Sequence, residues 1–298
     1  MGDRTLRFAG VELGGTKVIA VVCAGDDIVE QISVPTTTPD ETLGAVHRQL
    51  LAWQDDDGFD GLGIASFGPV RLDPQADDYG SILTTPKPGW TGARVLARLG
   101  RGLRCPATID TDVNAAALAE YRWGAGQGCS SLVYLTIGTG LGGGLLVEGR
   151  PFHGRLHPEI GHILTRRAPG DRFEGACPFH GDCIEGLISG PALERRFGSP
   201  VTAVAADHPT WEYVAHDLAQ LLVTLIHTIA PQRILVGGGV GLGVSDLLTR
   251  ATVWIPRLLG DYYADLDPAH LSTMVVAAGL GPRAGPLGAM ALAQVSAG

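Results

Sequence analysis

Four side chains of the kinds that bind zinc stand close together in the middle of the sequence. Cys177, His180 and Cys183 are spaced C-x2-H-x2-C, and His162 precedes Cys177 by fifteen residues. Two thiolates and two imidazoles suit a closed, tetrahedral zinc site that stabilises a loop. The alternative, a disulfide between Cys177 and Cys183, is disfavoured because the sequence has the character of a cytosolic protein. We therefore predict one structural zinc ion bound by these four residues.

Two carboxylates flank this zinc motif. Glu159 lies three residues before His162, and Glu185 lies two residues after Cys183. A metal that gathers its ligands would draw both glutamates toward one place, where ionised carboxylates can accept hydrogen bonds from sugar hydroxyls. Most glutamates are solvated surface residues, and that interpretation stays open for this pair.

A second polar cluster, DTDVN, spans residues 110–114. Asp110 or Thr111 can cap a helix that runs to about Trp123, which would place Asp112 in its first turn. The helix dipole keeps a carboxylate ionised there, and an ionised aspartate can accept the proton of a hydroxyl that attacks a phosphate. Asp112 is therefore a candidate general base, although capping is the commoner role of an aspartate before a helix.

Two glycine-rich turns, at residues 14–17 (GGTK) and 138–140 (GTG), each join two apolar segments. The first lacks the Gly-Lys-Ser/Thr order and the helix of a P-loop. The second matches G-x-G-x-x-G but leads into a short apolar run rather than a helix. In hairpin turns, backbone N–H groups together with Thr16, Lys17 and Thr139 can bind phosphate oxygens. Either turn alone could be an ordinary tight hairpin, but together they favour a triphosphate site.

The elements that would position these residues form two similar halves. Each half begins with a predicted hairpin, with strands at 8–11 and 18–23 in the first half and at 131–137 and 145–147 in the second. Apolar spacing also predicts a helix over 216–229, a strand at 233–236 followed by glycines and a helix, and a final helix over 289–295. The repeated hairpin is typical of a duplicated ribonuclease-H-like fold of the α/β class.

Composition narrows the class of protein. The 298 residues carry a formal net charge of −9, so no basic surface for nucleic acid is expected. The uncharged stretch 123–147 is interrupted by glycines and is not expected to span a membrane. With no apolar leader segment, the expected location is the cytoplasm, and the expected partners are small molecules.

These motifs together resemble those of the ROK family (repressors, open reading frames and kinases) of actin-like sugar kinases. The resemblance covers nearly the whole chain, and Glu12 stands where glucokinases of the family have Asp. The segments YGSILTTPKPGW and CPFHGDC are similar to the bacterial fructokinase branch. The remaining matching segments are GVELGGTK, FGPV, TDVNAAALAE, YLTIGTGLGGG, HPEIGH, ILVGGGV and GLGPRAGPLGA.

The resemblance implies an actin-like, ribonuclease-H-like duplicated α/β fold of two domains with the active site in the cleft between them. Residues 1–112 and a C-terminal helix at 284–298 would form the small domain. Residues 113–283 would form the large domain, with a zinc-binding loop at 157–186. The implied activity is transfer of phosphate from Mg-ATP to a free hexose, with fructose converted to fructose 6-phosphate, by a cytoplasmic homodimer.

The resemblance also implies roles for single residues. Asp112 would be the general base, and His162 would serve both zinc and sugar. The sugar would contact Gly68, Pro69, Asn114, Glu159, His162 and Glu185. The nucleotide would contact Gly14, Gly15, Thr16, Lys17, Gly138, Thr139, Gly140, Pro191, Gly237, Gly238, Gly239, Val240 and Gly241.

Three alternatives compete with this interpretation. A kinase for mannose or glucose stays open, because these hexoses differ only in hydroxyls that a few hydrogen bonds must distinguish. A nicotinamide dehydrogenase is opposed by the strand that follows Gly138 to Gly140 and by the closed set of four zinc ligands. A catalytically idle sugar sensor is opposed by the presence of Asp112.

Overall fold

The computed structural model describes residues 5–260, 262–263 and 265–297. The strands are β1 Arg7–Leu13, β2 Lys17–Ala24, β3 Asp27–Pro35, β4 Gly61–Ser66, β5 Ala107–Thr111, β6 Ser131–Ile137, β7 Leu141–Val147, β8 Arg150–Pro151, β9 Arg233–Gly237 and β10 Val275–Ala277. The helices are α1 Pro39–Asp55, α2 Val95–Leu99, α3 Asp112–Trp123, α4 Ile184–Ile188, α5 Gly190–Phe197, α6 Thr210–Ile229, α7 Gly238–Gly243, α8 Leu247–Leu259, α9 Pro268–Met274 and α10 Ala284–Ala297. Short 3-10 turns lie at Ile160–His162, Val201–Ala203 and Gly281–Arg283.

The chain forms two compact units. The first unit comprises Met1–Arg122, Arg150–Pro158 and Pro282–Gly298, and the second comprises Trp123–Gly149 and Glu159–Gly281. The domain ranges expected from sequence divide the chain at residue 112 and include residues 1–4, 261, 264 and 298, which lie outside the described residues. The observed division falls ten residues later, and Arg150–Pro158, which contains the first two residues of the expected zinc-binding loop, belongs to the first unit rather than to the large domain. One reason is that α3 approaches α10, since a Cβ on Gly288 would lie 2.2 Å from the Ala115 carbonyl oxygen.

The first unit is built on a five-stranded sheet in the order β3-β2-β1-β4-β5. Strand β1 pairs antiparallel with β2 and parallel with β4, and β4 pairs parallel with β5. The carboxyl ends of β1, β4 and β5 therefore meet at one edge of the sheet. The turn after Leu13, the loop after Ser66 and the start of α3 all lie along that edge.

The apolar faces of the first unit explain its packing. Strand β4 is buried at every position, and α1 buries Leu43, Val46 and Leu50. Helix α1 begins where Thr38 caps it by accepting a hydrogen bond from the Glu41 N–H. Burial of such side chains is the main favourable term for folding.

Helix α10 begins at Ala284, the start that the family resemblance implies, whereas the apolar pattern alone places the start at residue 289, because the glycines before it suggest a loop but in fact allow close packing. A Cβ on Gly285 would lie 2.1 Å from a carboxylate oxygen of Glu12. A Cβ on Gly63 of β4 would lie 1.9 Å from the carbonyl oxygen of Ala289. The helix therefore lies against the sheet at distances that only glycine permits.

The second unit repeats the hairpin and sheet pattern. Its strands lie in the order β10-β9-β6-β7, with β6 antiparallel to β7 and parallel to β9. Helix α6 buries Trp211, Leu218 and Leu225 in the core of this unit. The paired hairpins and the predicted helix and strand at 216–229 and 233–236 are confirmed, although α6 begins six residues earlier than predicted.

The strand after the second glycine turn also begins earlier than predicted. Strand β7 starts at Leu141 rather than at residue 145, because Gly142, Gly143 and Gly144 all belong to it. A side chain at Gly143 would meet Ile160 at 2.6 Å.

Among the described residues, none of the helices is both long and apolar enough to cross a membrane.

Candidate active site and metal centre

The predicted base lies where a strand gives way to a helix. Strand β5 ends at Thr111 and α3 begins at Asp112. The Thr111 hydroxyl caps the helix by accepting a hydrogen bond from the Asn114 N–H at 3.1 Å, so the predicted cap and helix start are confirmed. The Asp112 side chain, which is half-buried, accepts a hydrogen bond from the Val113 N–H at 2.9 Å. The helix start thus holds a carboxylate at the sheet edge, as proton transfer requires.

Asp110 organises the groups around this helix start. Its Oδ1 atom accepts hydrogen bonds from the Thr111 N–H at 2.7 Å and from Nδ2 of Asn114 at 2.8 Å. Its Oδ2 atom lies 2.9 Å from Nε2 of His153. Because Asp110 and Asn114 are both buried, the hydrogen bond between them is made away from bulk water, where charge-assisted hydrogen bonds are strong. The Asp110 hydrogen bond raises the pKa of His153, against the opposing effect of burial.

The same contact fixes the orientation of Asn114. Its amide nitrogen donates a hydrogen bond to Asp110, so its carbonyl oxygen is the end of the amide that is left for another partner. That oxygen is buried and has no hydrogen-bond partner among the described residues. A buried acceptor without a partner is costly, and a ligand hydroxyl can satisfy it. The arrangement suits the sugar-binding role predicted for Asn114.

A histidine that sequence reasoning missed supports the Gly68–Pro69 loop. His157 is buried, and its Nε2 atom accepts a hydrogen bond from the Val70 N–H at 3.0 Å. Burial lowers the pKa of His157, which favours the neutral ring that this acceptor role needs. The contact joins residues 87 positions apart, so local sequence patterns could not reveal it.

The carbonyl oxygens of the first glycine turn, residues 14–16, all accept hydrogen bonds. Thr36 binds two of them: its hydroxyl donates to the Gly14 oxygen at 2.8 Å, and its N–H donates to the Thr16 oxygen at 2.9 Å. The Lys87 ammonium donates to the Gly15 oxygen. The N–H groups of Gly15 and Thr16 have no partner among the residues that the structure describes. Free N–H donors at a tight turn form a binding site for an anion.

Glu12 lies just before this turn. Burial raises its pKa, and the positive charge of Lys17 partly offsets the rise. The carboxylate lies against the backbone of Gly285, where a side chain could not fit. A carboxylate beside a phosphate turn is the kind of group that holds the magnesium of Mg-ATP or a water bound to it.

The second glycine turn lies in the second unit, next to the other predicted nucleotide residues. The Gly190 N–H donates to the Gly138 carbonyl oxygen at 2.7 Å, which brings the start of α5 and its Pro191 to the turn. Gly238 adopts a φ of +84°, and a Cβ there would lie 2.4 Å from the Ile137 carbonyl oxygen. The turn, Pro191 and the residues 237–241 are therefore neighbours within this unit.

A cavity of about 280 Å³ opens beside the first turn of α7. Gly239 and Val240 contribute to one wall, and the apolar side chains of Val201, Val204 and Trp211 also line it. Arg250 and Asp246 supply its polar part. An apolar cavity with a few polar groups suits a planar heterocycle such as a nucleotide base.

The four predicted zinc ligands come together. One ligand atom from each of His162, Cys177, His180 and Cys183 lies within 4.8 Å of the others. Nδ1 of His162 is 3.9 Å from the Cys177 sulfur and 3.6 Å from the Cys183 sulfur, and Nδ1 of His180 is 3.8 Å from the Cys177 sulfur. Tetrahedral zinc with ordinary bond lengths separates sulfur and nitrogen ligands by roughly 3.5 Å. These four residues can therefore hold a metal ion, and their spacing is compatible with zinc.

Close backbone packing shapes the loop that carries these ligands. Cys177 and Gly181 exchange two backbone hydrogen bonds of 3.0 Å each. A Cβ on Gly186 would lie 2.0 Å from the Gly181 oxygen, and one on Gly175 would lie 2.1 Å from it. The glycines thus let the loop fold tightly enough to bring the ligand atoms together.

The two glutamates beside the metal cluster interact with each other. The Glu185 carboxylate accepts a hydrogen bond from the Leu141 N–H at 3.0 Å. The residue Glu159 is exposed overall, but burial of its carboxyl group raises the pKa to about 7, and the negative charge of Glu185 adds to the rise. The glutamates thus lie close enough to interact, as predicted.

The predicted site residues thus fall into two sets. Set one, in the first unit, comprises Gly14, Gly15, Thr16, Lys17, Gly68, Pro69, Asp112 and Asn114. Set two, in the second unit, comprises Gly138, Thr139, Gly140, Glu159, His162, Cys177, His180, Cys183, Glu185, Pro191 and residues 237–241. Asp110, His153, His157 and Lys87 belong to the first unit and were not among the predicted residues.

Known proteins resemble this chain over nearly its full length. The model of the ROK family matches residues 8–296. Fructokinase of Zymomonas mobilis is 43% identical over 293 residues, which cover 96% of each chain. The crystal structure of the ROK hexokinase from Thermus thermophilus has a TM-score of 0.79 at 28% identity and covers 98% of this chain and 99% of its own. A ROK family glucokinase from Streptomyces griseus, crystallised with glucose and AMPPNP, has a TM-score of 0.73 at 26% identity. The similarity covers 97% of this chain and 99% of the glucokinase chain.

Proposed function

The chain belongs to the ROK family, and from that premise we propose that it is an ATP-dependent fructokinase that converts fructose to fructose 6-phosphate. The observation that carries this proposal is the 43% identity to a fructokinase across 96% of both chains. Fructokinases of other bacteria, such as that of Pediococcus pentosaceus at 37% identity over 97% of this chain, support the same substrate.

Asp112 would act as general base in the first unit. As the fructose hydroxyl oxygen bonds to the terminal phosphorus of ATP, its proton passes to Asp112, and the bond from that phosphorus to the bridging oxygen breaks to release ADP. Asn114 would bind a sugar hydroxyl through the carbonyl oxygen that Asp110 leaves free. The loop at Gly68 and Pro69 would contact the sugar, and His157 would hold that loop in place through Val70.

The turn of residues 14–17 would bind the phosphates through its free N–H groups, with magnesium accompanying ATP. In the second unit, the turn of residues 138–140 and the start of α7 would bind the nucleotide. The cavity beside Gly239 and Val240 would take the base. Phosphoryl transfer relies mainly on positioning and on neutralising charge, which such donors supply.

The metal bound by His162, Cys177, His180 and Cys183 would be zinc. The donor set and spacing fit zinc, and four protein ligands leave no open position for catalysis, so its contribution is to fold the loop. Nδ1 of His162 faces the two sulfur atoms, which leaves its other nitrogen for a sugar hydroxyl. The carboxylates of Glu159 and Glu185 would accept hydrogen bonds from further sugar hydroxyls. On the basis of the family resemblance alone, we also propose that the protein is a cytoplasmic homodimer.

Product analysis tests the reaction. The protein is incubated with fructose and Mg-ATP, and the product is examined by phosphorus and carbon NMR. A new phosphate monoester coupled to carbon 6 of fructose supports the proposal. A phosphate on carbon 1, or release of ADP without a sugar phosphate, would contradict it.

A further inference from the structure

Lysine is rare in this chain, and both lysines lie at the same turn. Of 22 lysines and arginines, only Lys17 and Lys87 are lysines. Lys17 is the first residue of β2, directly after the turn of residues 14–16. Lys87 is 72 positions away in sequence from Gly15, yet its ammonium donates a hydrogen bond to the Gly15 carbonyl oxygen. The two ammonium groups, which are compact and strongly hydrated, thus lie at one turn, while the other basic side chains of the protein, apart from histidine, are arginines.

The support beneath Lys87 is rigid. Its ammonium lies 5.9 Å from the ring centre of Phe67, a cation–π distance. Phe67 packs edge-on against Trp90 with ring centres 5.2 Å apart. Trp90 is fully buried and donates its indole N–H to the Thr37 carbonyl oxygen at 2.9 Å. Both the ring beneath the ammonium and the loop that carries Lys87 are therefore anchored in the core.

The ammonium and the turn present donors together. An ammonium has three N–H donors, and one of them binds Gly15, which leaves two for a ligand. The N–H groups of Gly15 and Thr16 have no partner among the described residues. A Cβ on Gly15 would meet nothing within 4 Å, so the turn has room for a group beside it. Two free N–H groups and an ammonium form a site for a doubly charged oxyanion.

We propose that Lys87 binds the terminal phosphate of ATP and neutralises the charge that spreads over the phosphoryl group during its transfer to the sugar. This inference rests on the proposed kinase function. The competing explanation is that Lys87 only holds the turn through Gly15, a role that needs no ligand. The two explanations differ in whether the Lys87 ammonium responds to ATP.

Kinetics give the first test. Lys87→Met keeps most of the length of the side chain but removes its charge, and it should lower kcat by about 10²-fold or more, as the loss of a charge-stabilising group does, with the KM for fructose little changed. Lys87→Arg should recover part of the loss. Arg101→Met removes an exposed positive charge from the same unit and serves as control. Wild-type kcat in Lys87→Met would overturn the inference.

The rarity of lysine allows a second test on the wild-type sequence. Growth with nitrogen-15 lysine gives side-chain ammonium signals for Lys17 and Lys87 alone and leaves every N–H donor of both lysines in place. The labelled signals are assigned with Lys17→Arg and Lys87→Arg. Addition of magnesium and a non-hydrolysable ATP analogue should shift the Lys87 signal. Because the labelled protein has the native sequence, this test decides even if Lys87→Met fails to fold.

The outcomes separate this inference from the proposed function. If the protein phosphorylates fructose but the Lys87 signal does not move, Lys87 only holds the turn, and the inference is wrong while the function stands. If the wild-type protein transfers no phosphate to any hexose, the proposed function itself fails. A shifted Lys87 signal together with a reduced kcat in Lys87→Met supports both.

Discussion

Asp110 accepts a hydrogen bond from Nδ2 of Asn114 at 2.8 Å, and this contact determines which end of the Asn114 amide is offered to a ligand. The free carbonyl oxygen is an acceptor, and a sugar hydroxyl is a donor. Asp110 thus acts as a positioning residue, one that orients a neighbour, while Asp112, two residues along the chain, is the candidate base. Asp110 belongs to strand β5 and Asp112 to helix α3, so the change from strand to helix between them places the two carboxylates in different surroundings.

Asp112→Asn tests the base. The amide keeps the shape of the side chain but cannot accept a proton, so turnover should fall by about 10²-fold or more, with the KM values for ATP and fructose little changed. Steady-state kinetics measure this, with Asp207→Asn, an exposed aspartate, as control. Unchanged turnover in Asp112→Asn would remove Asp112 from the mechanism.

Asp110→Ala tests the positioning network. Without its carboxylate, the Asn114 amide is free to rotate, and the free energy of sugar binding should weaken by about 1–3 kcal/mol, the cost of an unmade buried hydrogen bond. The KM for fructose should rise while the KM for ATP stays near the wild-type value. An unchanged KM for fructose would contradict the positioning role, whereas a lower apparent kcat with both KM values unchanged would indicate partial unfolding.

The contact of His153 with Asp110 should make stability depend on pH. The hydrogen bond raises the pKa of His153 in the folded state above its ordinary value of about 6.5. Its stabilisation is therefore fully present below that ordinary value and is lost as the pH rises through the folded pKa. Urea unfolding of wild type and His153→Gln should differ more at about pH 6 than at about pH 9. An equal difference at both pH values would show that the ion pair contributes nothing.

Metal removal tests the cluster. Protein purified without added zinc should contain close to one zinc ion per chain by mass spectrometry of the metals. Cys177→Ser should lose the metal and lower the melting temperature, because the loop has no other crosslink. Cys105→Ser lies outside the cluster and should retain the metal. Metal-free wild-type protein with full activity and unchanged stability would disprove the zinc site.

One glycine substitution tests the packing of α10, and a second, in α1, serves as its control. Gly63→Ala would bring a methyl group to 1.9 Å from the backbone carbonyl oxygen of Ala289 in α10, which should destabilise the protein by about 1–3 kcal/mol through overpacking. Gly44→Ala lies within α1, where the nearest atom would be Arg48 Nη1 at an ordinary 3.6 Å, and should be neutral or stabilising. Equal stability of the two variants in urea unfolding would contradict the close approach.

The sequence predicted the features that depend on local order. The cap at Thr111, the helix from Asp112 and the hairpin at residues 14–17 follow from residue types within a few positions. The metal cluster was also predictable, since three of its ligands lie within seven residues. In each case the pattern that specifies the structure is short enough to be seen in one segment.

Contacts between distant segments were not predictable. Lys87 reaches Gly15 only because the strand ends at Leu13 and Ser66 meet at one sheet edge, and His157 reaches Val70 in the same region of the first unit. The start of α10 at Ala284 follows from the family resemblance, but the apolar pattern alone misses it for a related reason. Its glycines, which locally disfavour a helix, are required by a sheet that the helix meets only in the folded protein.

The most direct measurement is the rate of ADP release from Mg-ATP in a coupled assay with fructose, mannose, glucose and N-acetylated amino sugars. The account predicts the highest kcat/KM with fructose. An equal or higher kcat/KM with another hexose would contradict the choice of fructose, and no release of ADP with any of these sugars would contradict the kinase function itself.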